Sequence, residues 1–180
     1  NKIPVYIDKP LSFSIKKAKK LISFQKYNGQ IFTCSALRYA KEFESIKKIK
    51  KKIGRIQSAY AFVPNDWKKY SAHAIEPLVK ILPNRGSILK VRKYKNDYQT
   101  ILTVNYKRNL ILNIISTGLE NTPISFRIVG SQGYLDLITK DYFKYFKDAL
   151  CNFIASVKYK QSKISMKETL EIVKLIELGT

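Results

Sequence analysis

The chain opens with the stretch Val5-Tyr6-Ile7-Asp8-Lys9-Pro10-Leu11-Ser12. A short apolar run over residues 4–8 ends in a carboxylate, a lysine and a proline, and the proline terminates the run. We therefore predict a buried strand that delivers Lys9 to a loop at the carboxyl end of a sheet, where ligands of open α/β sheets bind. The alternative is a surface lysine at a strand end, with Pro10 as a simple terminator.

The bulk composition is that of a folded domain with one core. The chain has 180 residues, 45% hydrophobic content, 7 Gly and 6 Pro, which is a globular composition and not a disordered one. No run approaches the ~20 apolar residues that a transmembrane helix needs, and the start shows no signal-peptide pattern. We expect a cytoplasmic protein without a membrane partner.

The formal net charge of +21 at pH 7 raises the question of a nucleic-acid partner. The excess is nearly all lysine, with six arginines among the 34 basic residues and one dense run over residues 47–52. Sites that read nucleic-acid sequence rely on the planar fork of Arg. We interpret the lysines mainly as solvated faces with the codon bias of an AT-rich genome, and nucleic-acid binding remains an alternative.

The two cysteines do not indicate a metal site. Cys34 and Cys151 lie far apart in the sequence and share no ligand spacing with His73, the single histidine. We expect two small buried thiols in a reduced compartment and no metal, and a disulfide stays open.

Hydrophobic periodicity and turn signals predict an α+β fold. One helix follows Ser14, a second ends at Gly54 and a third covers 71–82. β segments over 30–36 and 55–63 lie between these helices. Residues 86–129 read as a meander of antiparallel strands, and 134–138 as one more strand. Two helices close the chain, the first over 141–159. The second opens with Ser165 and Glu168, which form a capping box in which each satisfies a backbone donor of the other. The result is an open, predominantly antiparallel sheet with helices packed on one face.

Several polar residues lie where such a fold places ligands. His73, if its helix starts near Tyr70, lies in the first turn and could take a proton from an alcohol; the alternative is a histidine hydrogen-bonded within the domain. Arg38 follows a strand and could bind an anionic or polyhydroxyl ligand, or it could pair with Glu42 one helical turn on. Gly130-Ser131-Gln132-Gly133 is weak as a phosphate loop and favours a tight turn.

The order of these motifs resembles the Gfo/Idh/MocA oxidoreductases, the glucose-fructose oxidoreductase and inositol dehydrogenase family. Asp8-Lys9-Pro10 resembles the Glu-Lys-Pro of that family, and Arg38-Tyr39 with Phe43 resembles its Arg-aromatic…Phe segment. Gly54-Arg55-Ile56 is similar to its Gly-basic-Ile, and residues 130–135 are similar to its Gly-Thr-x-Gly turn. His73 sits where the family places its base, followed by an acidic residue and apolar positions. The final helix fits as well.

The resemblance implies a dihydrodipicolinate-reductase-like C-terminal domain over residues 13–180. Residues 1–12 would be the last strand of a Rossmann domain that is otherwise missing, with its connecting loop. NAD or NADP would be bound mainly by that missing domain, with Lys9 and Pro10 touching the cofactor. The chain has no glycine-rich fingerprint, so we expect it to bind no dinucleotide alone. The resemblance also implies a homodimer or tetramer that forms through the sheet face.

By the same resemblance, Lys9 and His73 would be catalytic, and the residues at the substrate would be Arg38, Tyr39, Lys69 and Tyr70. The chain departs from the family pattern at Lys69, where an acidic residue is usual, and at Ser71, where a smaller residue is usual. We expect a substrate-binding domain of an NAD(P)-dependent oxidoreductase that acts on a sugar, cyclitol or nucleotide-sugar hydroxyl. A non-catalytic binding or oligomerisation module of the same fold is the alternative.

Overall fold

A computed structural model describes residues 2–43 and 46–180. Eight strands and five α-helices follow one another in the described residues, with two short 3-10 turns, Ala36–Tyr39 and Lys41–Phe43, after β2. The strands are β1 Val5–Asp8, β2 Ile31–Cys34, β3 Ile56–Val63, β4 Ile88–Lys95, β5 Thr100–Tyr106, β6 Leu110–Ser116, β7 Ser125–Gly130 and β8 Gly133–Ile138. The helices are α1 Ile15–Ser23, α2 Ile46–Ile53, α3 Trp67–Ile81, α4 Tyr142–Tyr159 and α5 Met166–Gly179.

The first two strands form a small parallel sheet of their own, in which Val5 pairs with Ile31 and Asp8 with Cys34. Helix α1 supplies the crossover that a parallel pair requires. The sheet is covered on both sides, by α1 and α5 around Ala18 and Val173, and by α4 around Phe32 and Ala149. Both strands therefore end at the same edge, and the division of the chain after residue 12 stays a prediction.

The larger sheet has six strands in the order β4-β5-β6-β3-β7-β8. All neighbours are antiparallel except β3 and β6, which are parallel. The predicted uninterrupted meander is therefore wrong, because β3 lies between β6 and β7. The buried positions of β3 include Ala59 and Ala61, and these small side chains suit a central strand on which α3 packs closely.

The predicted fold class is confirmed. Buried and partly exposed residues alternate along β5, from Thr100 to Tyr106, so one face of the sheet is covered and the other is open. Helices α3 and α5 lie on the covered face, and α2 lies against β7 and β8. The core consists of the inward residues of the strands together with α3 and α5.

The lysine-rich helix is a solvated face, as its pattern predicted. In α2, Ile49 and Ile53 are buried while the lysines at 47, 48 and 50–52 are exposed. Phe43 lies in the 3-10 turn that precedes this helix, whereas the apolar spacing of Phe43, Ile49 and Ile53 predicts that it shares the helix. Residues 44 and 45, between the two, lie outside the described residues.

Helix α3 begins at Trp67, four residues before the predicted start. The Asp66 side chain caps it by accepting a hydrogen bond from the Lys69 N–H at 3.0 Å. His73 therefore lies in the second turn, and its predicted place in the first turn is wrong.

The predicted capping box of α5 forms only in part. The Ser165 hydroxyl accepts from the Glu168 N–H at 3.2 Å. The Glu168 carboxylate does not return to Ser165, because it pairs with Arg38 instead.

The cysteines are both free, and Cys34 is buried as expected. Cys151 lies exposed on α4, so its predicted burial is wrong. Among the described residues, no helix combines the length and the apolar character needed to cross a membrane.

Candidate functional site

The candidate site lies where β1 and β2 end and α3 passes alongside. Lys9 follows β1, Ser35 follows β2, and both therefore leave the small sheet at its carboxyl edge. Lys9, Thr33, Ala72 and Glu76 line an internal cavity of about 10 Å³, which is room for about one water molecule. The sheet edge and α3 thus bring the Lys9 amine next to the helix that carries His73.

His73 is held by Ser35 and lies within the field of Lys9. Its Nδ1 atom is 2.8 Å from the Ser35 Oγ. Burial and, to a smaller extent, the positive charge of Lys9 lower the pKa of His73 to about 4, while Asp8 acts in the opposite direction. The imidazole is therefore neutral at pH 7. The Tyr70 ring lies against it, with ring centroids 5.7 Å apart.

Glu76 is a buried carboxyl one helical turn after His73. Its Oε2 accepts a hydrogen bond from the Ser35 backbone N–H, and its Oε1 is 3.8 Å from Arg38 Nη1. Burial raises the pKa of Glu76 to about 8, although Arg38 and the Ser35 N–H both favour the ionised form. Desolvation prevails because the side chain is almost fully enclosed.

Arg38 is committed to carboxylates of the chain itself. Its Nη1 contacts Glu168 Oε1 at 2.7 Å, and the guanidinium is buried. The alternative ion pair with Glu42 is wrong, since Glu42 accepts from the Tyr145 hydroxyl at 2.9 Å. Arg38 reaches His73 only through Glu76 and Ser35. Substrate binding by Arg38 stays a prediction.

The other predicted substrate residues surround this cluster at different depths. Tyr39 is half-buried, and the Lys80 Nζ lies 5.5 Å from its ring centroid. Burial raises the pKa of the Tyr39 hydroxyl. Tyr70 is half-buried beside His73, whereas Lys69 is exposed one turn before it. The structure thus places Tyr70 against His73, with Lys9 near enough to act electrostatically on the imidazole, while Lys69 is exposed to solvent.

Two members of the cluster escaped the sequence prediction as site residues, namely Ser35 and Glu76. The position of Ser35 does indicate a site residue, because Ser35 follows β2 as Lys9 follows β1, and parallel strands end at the same edge of a sheet. For Glu76 the indication is its spacing of three residues from His73, which places both side chains on the same face of a helix, one turn apart.

Other features are less suited to ligand chemistry. A larger groove of about 1090 Å³ runs between the end of α3 and α5 without Lys9 or His73, and its guanidiniums, Arg38 and Arg85, are paired with carboxylates. Gly130 and Gly133 close the β7–β8 hairpin, as the predicted tight turn. Within the described residues, no three His, Cys, Asp or Glu side chains cluster as a metal site would require.

Comparison with solved structures identifies this fold as that of the C-terminal domain of Gfo/Idh/MocA oxidoreductases, so the resemblance in the sequence is confirmed. No protein-family model and no curated protein matches the chain. At 11–14% identity to the neighbours described next, the likeness establishes the fold.

Three neighbours illustrate the class. The chain is similar to a myo-inositol dehydrogenase from Corynebacterium glutamicum, with a TM-score of 0.75 at 14% identity over 97% of this chain and 68% of that one. It is similar to GenD2 from gentamicin A biosynthesis in complex with NAD, with a TM-score of 0.82 at 11% identity over 98% of this chain and 68% of that one. It is also similar to a myo-inositol dehydrogenase from Lactobacillus casei in complex with NAD(H) and myo-inositol, with a TM-score of 0.75 at 11% identity over 98% of this chain and 67% of that one.

Proposed function

We propose that this chain is the substrate-binding domain of an NAD(P)-dependent oxidoreductase that acts on a sugar, cyclitol or nucleotide-sugar hydroxyl. The observation that carries the proposal is that Lys9, which leaves β1 at the carboxyl edge of the small sheet, lies near enough to His73 to lower the pKa of the imidazole. Two structural neighbours were solved with NAD or NAD(H), and one of these also with myo-inositol. The fold and the two side chains therefore support the same chemistry.

The residues at this edge fit a nicotinamide cofactor. Lys9 offers an ammonium donor whose recorded partner is Asp8 at 3.3 Å, and the lysine side chain is partly exposed. Such a donor at the carboxyl end of a parallel strand suits a ribose or substrate hydroxyl. Lys9 and Pro10 would hold the cofactor, which when bound supplies the hydride acceptor or donor.

The remaining side chains position the substrate. Lys9 and His73 present two nitrogen atoms towards one substrate oxygen, where a proton leaves or arrives. The Tyr70 ring packs on the apolar face of a sugar or cyclitol, and Lys69 and Tyr39 contact its outer hydroxyls. Arg38 acts at the substrate or, through Glu76 and Ser35, on the position of His73.

The test is hydride transfer by the complete gene product, followed by nicotinamide absorbance with inositols, sugars and nucleotide sugars as substrates. Lys9→Ala and His73→Ala should each lower turnover by on the order of 10²–10⁴. Lys16→Ala, an exposed lysine of α1, is the matched control and should leave turnover unchanged. Near-unchanged rates in both site variants would remove the roles assigned to them.

A non-catalytic binding module is the second candidate, and one observation favours it. Lys69 replaces the acidic residue that the resemblance places before the histidine, and the low pKa of His73, about 4, makes it a weak base at neutral pH. This candidate predicts that a cyclitol or sugar binds with Lys9-dependent affinity while no hydride is transferred. Calorimetric titration beside the absorbance assay separates the two functions.

A further inference from the structure

We infer that Ser35 fixes His73 in the tautomer that carries its proton on Nε2, so that the imidazole presents an N–H donor to the cleft beside Lys9. The catalytic meaning of this inference rests on the proposed function. The tautomer itself is a property of the chain without any ligand.

The inference follows from the hydrogen bonds of the Ser35 hydroxyl. Ser35 is fully buried, so its hydroxyl proton needs an acceptor. The Oγ atom already accepts a hydrogen bond from the Leu37 N–H at 3.3 Å. Among the described residues, the acceptor recorded for its proton is His73 Nδ1, at 2.8 Å. A hydroxyl that donates to Nδ1 leaves the imidazole proton on Nε2.

Glu76 holds the serine in place for this bond. It accepts the Ser35 backbone N–H from the third turn of α3, one turn after His73 on the same helix. The serine is thus attached to α3 at two points, by its backbone to Glu76 and by its hydroxyl to His73. Arg38 in turn neighbours Glu76 and is anchored to Glu168 of α5.

The surroundings keep the ring neutral, which a defined tautomer requires. The charged groups that act on His73 are Lys9 and Asp8 from the end of β1. Its own helix contributes the Tyr70 ring and the Glu76 carboxyl, and β2 contributes Ser35 through the residue after its end. Burial and Lys9 outweigh Asp8, so the imidazolium form is disfavoured.

This tautomer determines what His73 can do in the proposed reaction. When an alcohol is oxidised, its C–H bond breaks and the electron pair leaves with the hydrogen to the nicotinamide ring, which is reduced. The O–H proton must go to a base. A neutral His73 with Nε2–H cannot receive that proton at Nε2, so it hydrogen-bonds to the substrate oxygen, and the proton passes to solvent water. In the reverse reaction the carbonyl oxygen takes its proton from solvent while the Nε2–H group holds that oxygen in place.

His73 is the single histidine of the chain, so its tautomer can be measured without assignment ambiguity. The experiment is a long-range ¹H–¹⁵N correlation spectrum of the ¹⁵N-labelled chain at pH 7 without substrate. We expect a protonated Nε2 and an unprotonated Nδ1. A protonated Nδ1, an imidazolium pattern or rapid averaging of both tautomers would overturn the inference, and the wild-type spectrum alone decides it.

A serine variant and a matched control test the cause. Ser35→Ala should convert the single pattern to a mixture of both tautomers, since Nδ1 loses its donor. Ser71→Ala is the control, because Ser71 is a buried serine of α3 whose hydroxyl has no hydrogen-bond partner in the described part of the chain. It should leave the imidazole pattern unchanged. An unaltered pattern in folded Ser35→Ala protein would mean that Ser35 is not the cause.

The outcome is independent of catalysis. The proposed function fails if the complete gene product neither transfers hydride nor binds a sugar, whatever the spectrum shows. The tautomer inference fails on the spectrum of the substrate-free chain, whatever the assay shows.

Discussion

Two titratable residues one helical turn apart on α3 have pKa values that move in opposite directions for one reason. Burial disfavours the charged form of each, so it lowers the pKa of His73 and raises that of Glu76. Both side chains are therefore neutral at pH 7 and able to donate or accept hydrogen bonds without a counter-ion.

These shifts predict how stability depends on pH. From about pH 4.5 to 6.5, unfolding lets His73 take up a proton and Glu76 release one, so the two contributions cancel. From pH 6.5 to 8, His73 is neutral in both states while unfolding still releases the Glu76 proton. Stability should therefore stay level to pH 6.5 and then fall by about 1 kcal/mol by pH 8.

The measurement is urea unfolding at several pH values, followed by the fluorescence of the single tryptophan, Trp67, which is buried. Glu76→Gln removes the titrating carboxyl, so its stability should rise to pH 6.5, where His73 becomes neutral in both states, and then level off. Glu120→Gln, at an exposed position, should keep the wild-type profile. A fall above pH 6.5 that persists in Glu76→Gln would assign the effect to another group.

The sequence showed part of this cluster and not the rest. Lys9 stood out because a proline follows it directly after an apolar run, and His73 because it is the single histidine. Ser35 lies 38 residues from His73, and no local pattern couples a serine to a distant ring. The burial that shifts Glu76 likewise comes from tertiary packing, which a helical period does not reveal.

At the scale of elements, Arg85 joins the end of α3 to α5. Its Nη1 donates to the carbonyls of Val79 and Leu82 at 2.9 and 2.8 Å, which lie at the end of the helix. Its Nε donates to Glu171 of α5 at 2.7 Å. The same carboxylate accepts from the Tyr106 hydroxyl of β5. One side chain thus caps a helix and fixes the packing of another helix against it.

Removal of the Arg85 guanidinium should lower the free energy of unfolding far more than removal of an exposed guanidinium with similar geometry. Arg85→Met removes the cation that pairs with Glu171, which keeps only the Tyr106 hydroxyl, and the donor to two helix-end carbonyls, so we expect a loss of about 3 kcal/mol of unfolding free energy. Arg127→Met is the matched control, because Arg127 also binds a carboxylate through two nitrogens, to Asp136 at 2.7 Å, on the exposed sheet face. The loss of that exposed pair should lower the unfolding free energy far less, because water screens it. Urea unfolding of both variants measures the difference, and equal losses would contradict the role given to Arg85.

Elements were predictable where the signal is local. The apolar period located each α-helix and most strands, and the pair Gly130 and Gly133 located the last hairpin. The predicted start of α3 is too late in the chain, because the helix begins directly after its cap at Asp66. The position of β3 between β6 and β7 could not be read from its residues, since pairing with β6 joins segments about 50 residues apart and depends on the whole sheet.

At the scale of the molecule, the open face of the large sheet carries a polar row, with a mainly apolar row on one side and a row of mixed apolar and polar residues on the other. The polar row crosses all six strands through paired residues: Arg92, Thr103, Asn113, Tyr60, Arg127 and Asp136. The rows beside it include exposed large side chains: Tyr94, Phe62 and Ile138 on one side, Ile111 and Tyr134 on the other. The described helices leave this face uncovered, and a surface of this kind is typical of a protein interface.

We therefore expect two copies of the chain to associate through this face, as the sequence resemblance implies. A central polar row can match its own copy across a two-fold axis, because the polar row then meets itself and the exposed apolar side chains beside it are covered. Sedimentation velocity should show a dimer or larger assembly for the wild type. Phe62→Glu and Ile111→Glu place charges among the exposed apolar side chains on either side of the polar row and should yield monomers. Phe143→Glu alters an equally apolar exposed residue on α4, away from the sheet, and should leave the assembly intact. A monomeric wild type, or dissociation caused by Phe143→Glu and not by the sheet variants, would exclude the sheet face as the interface.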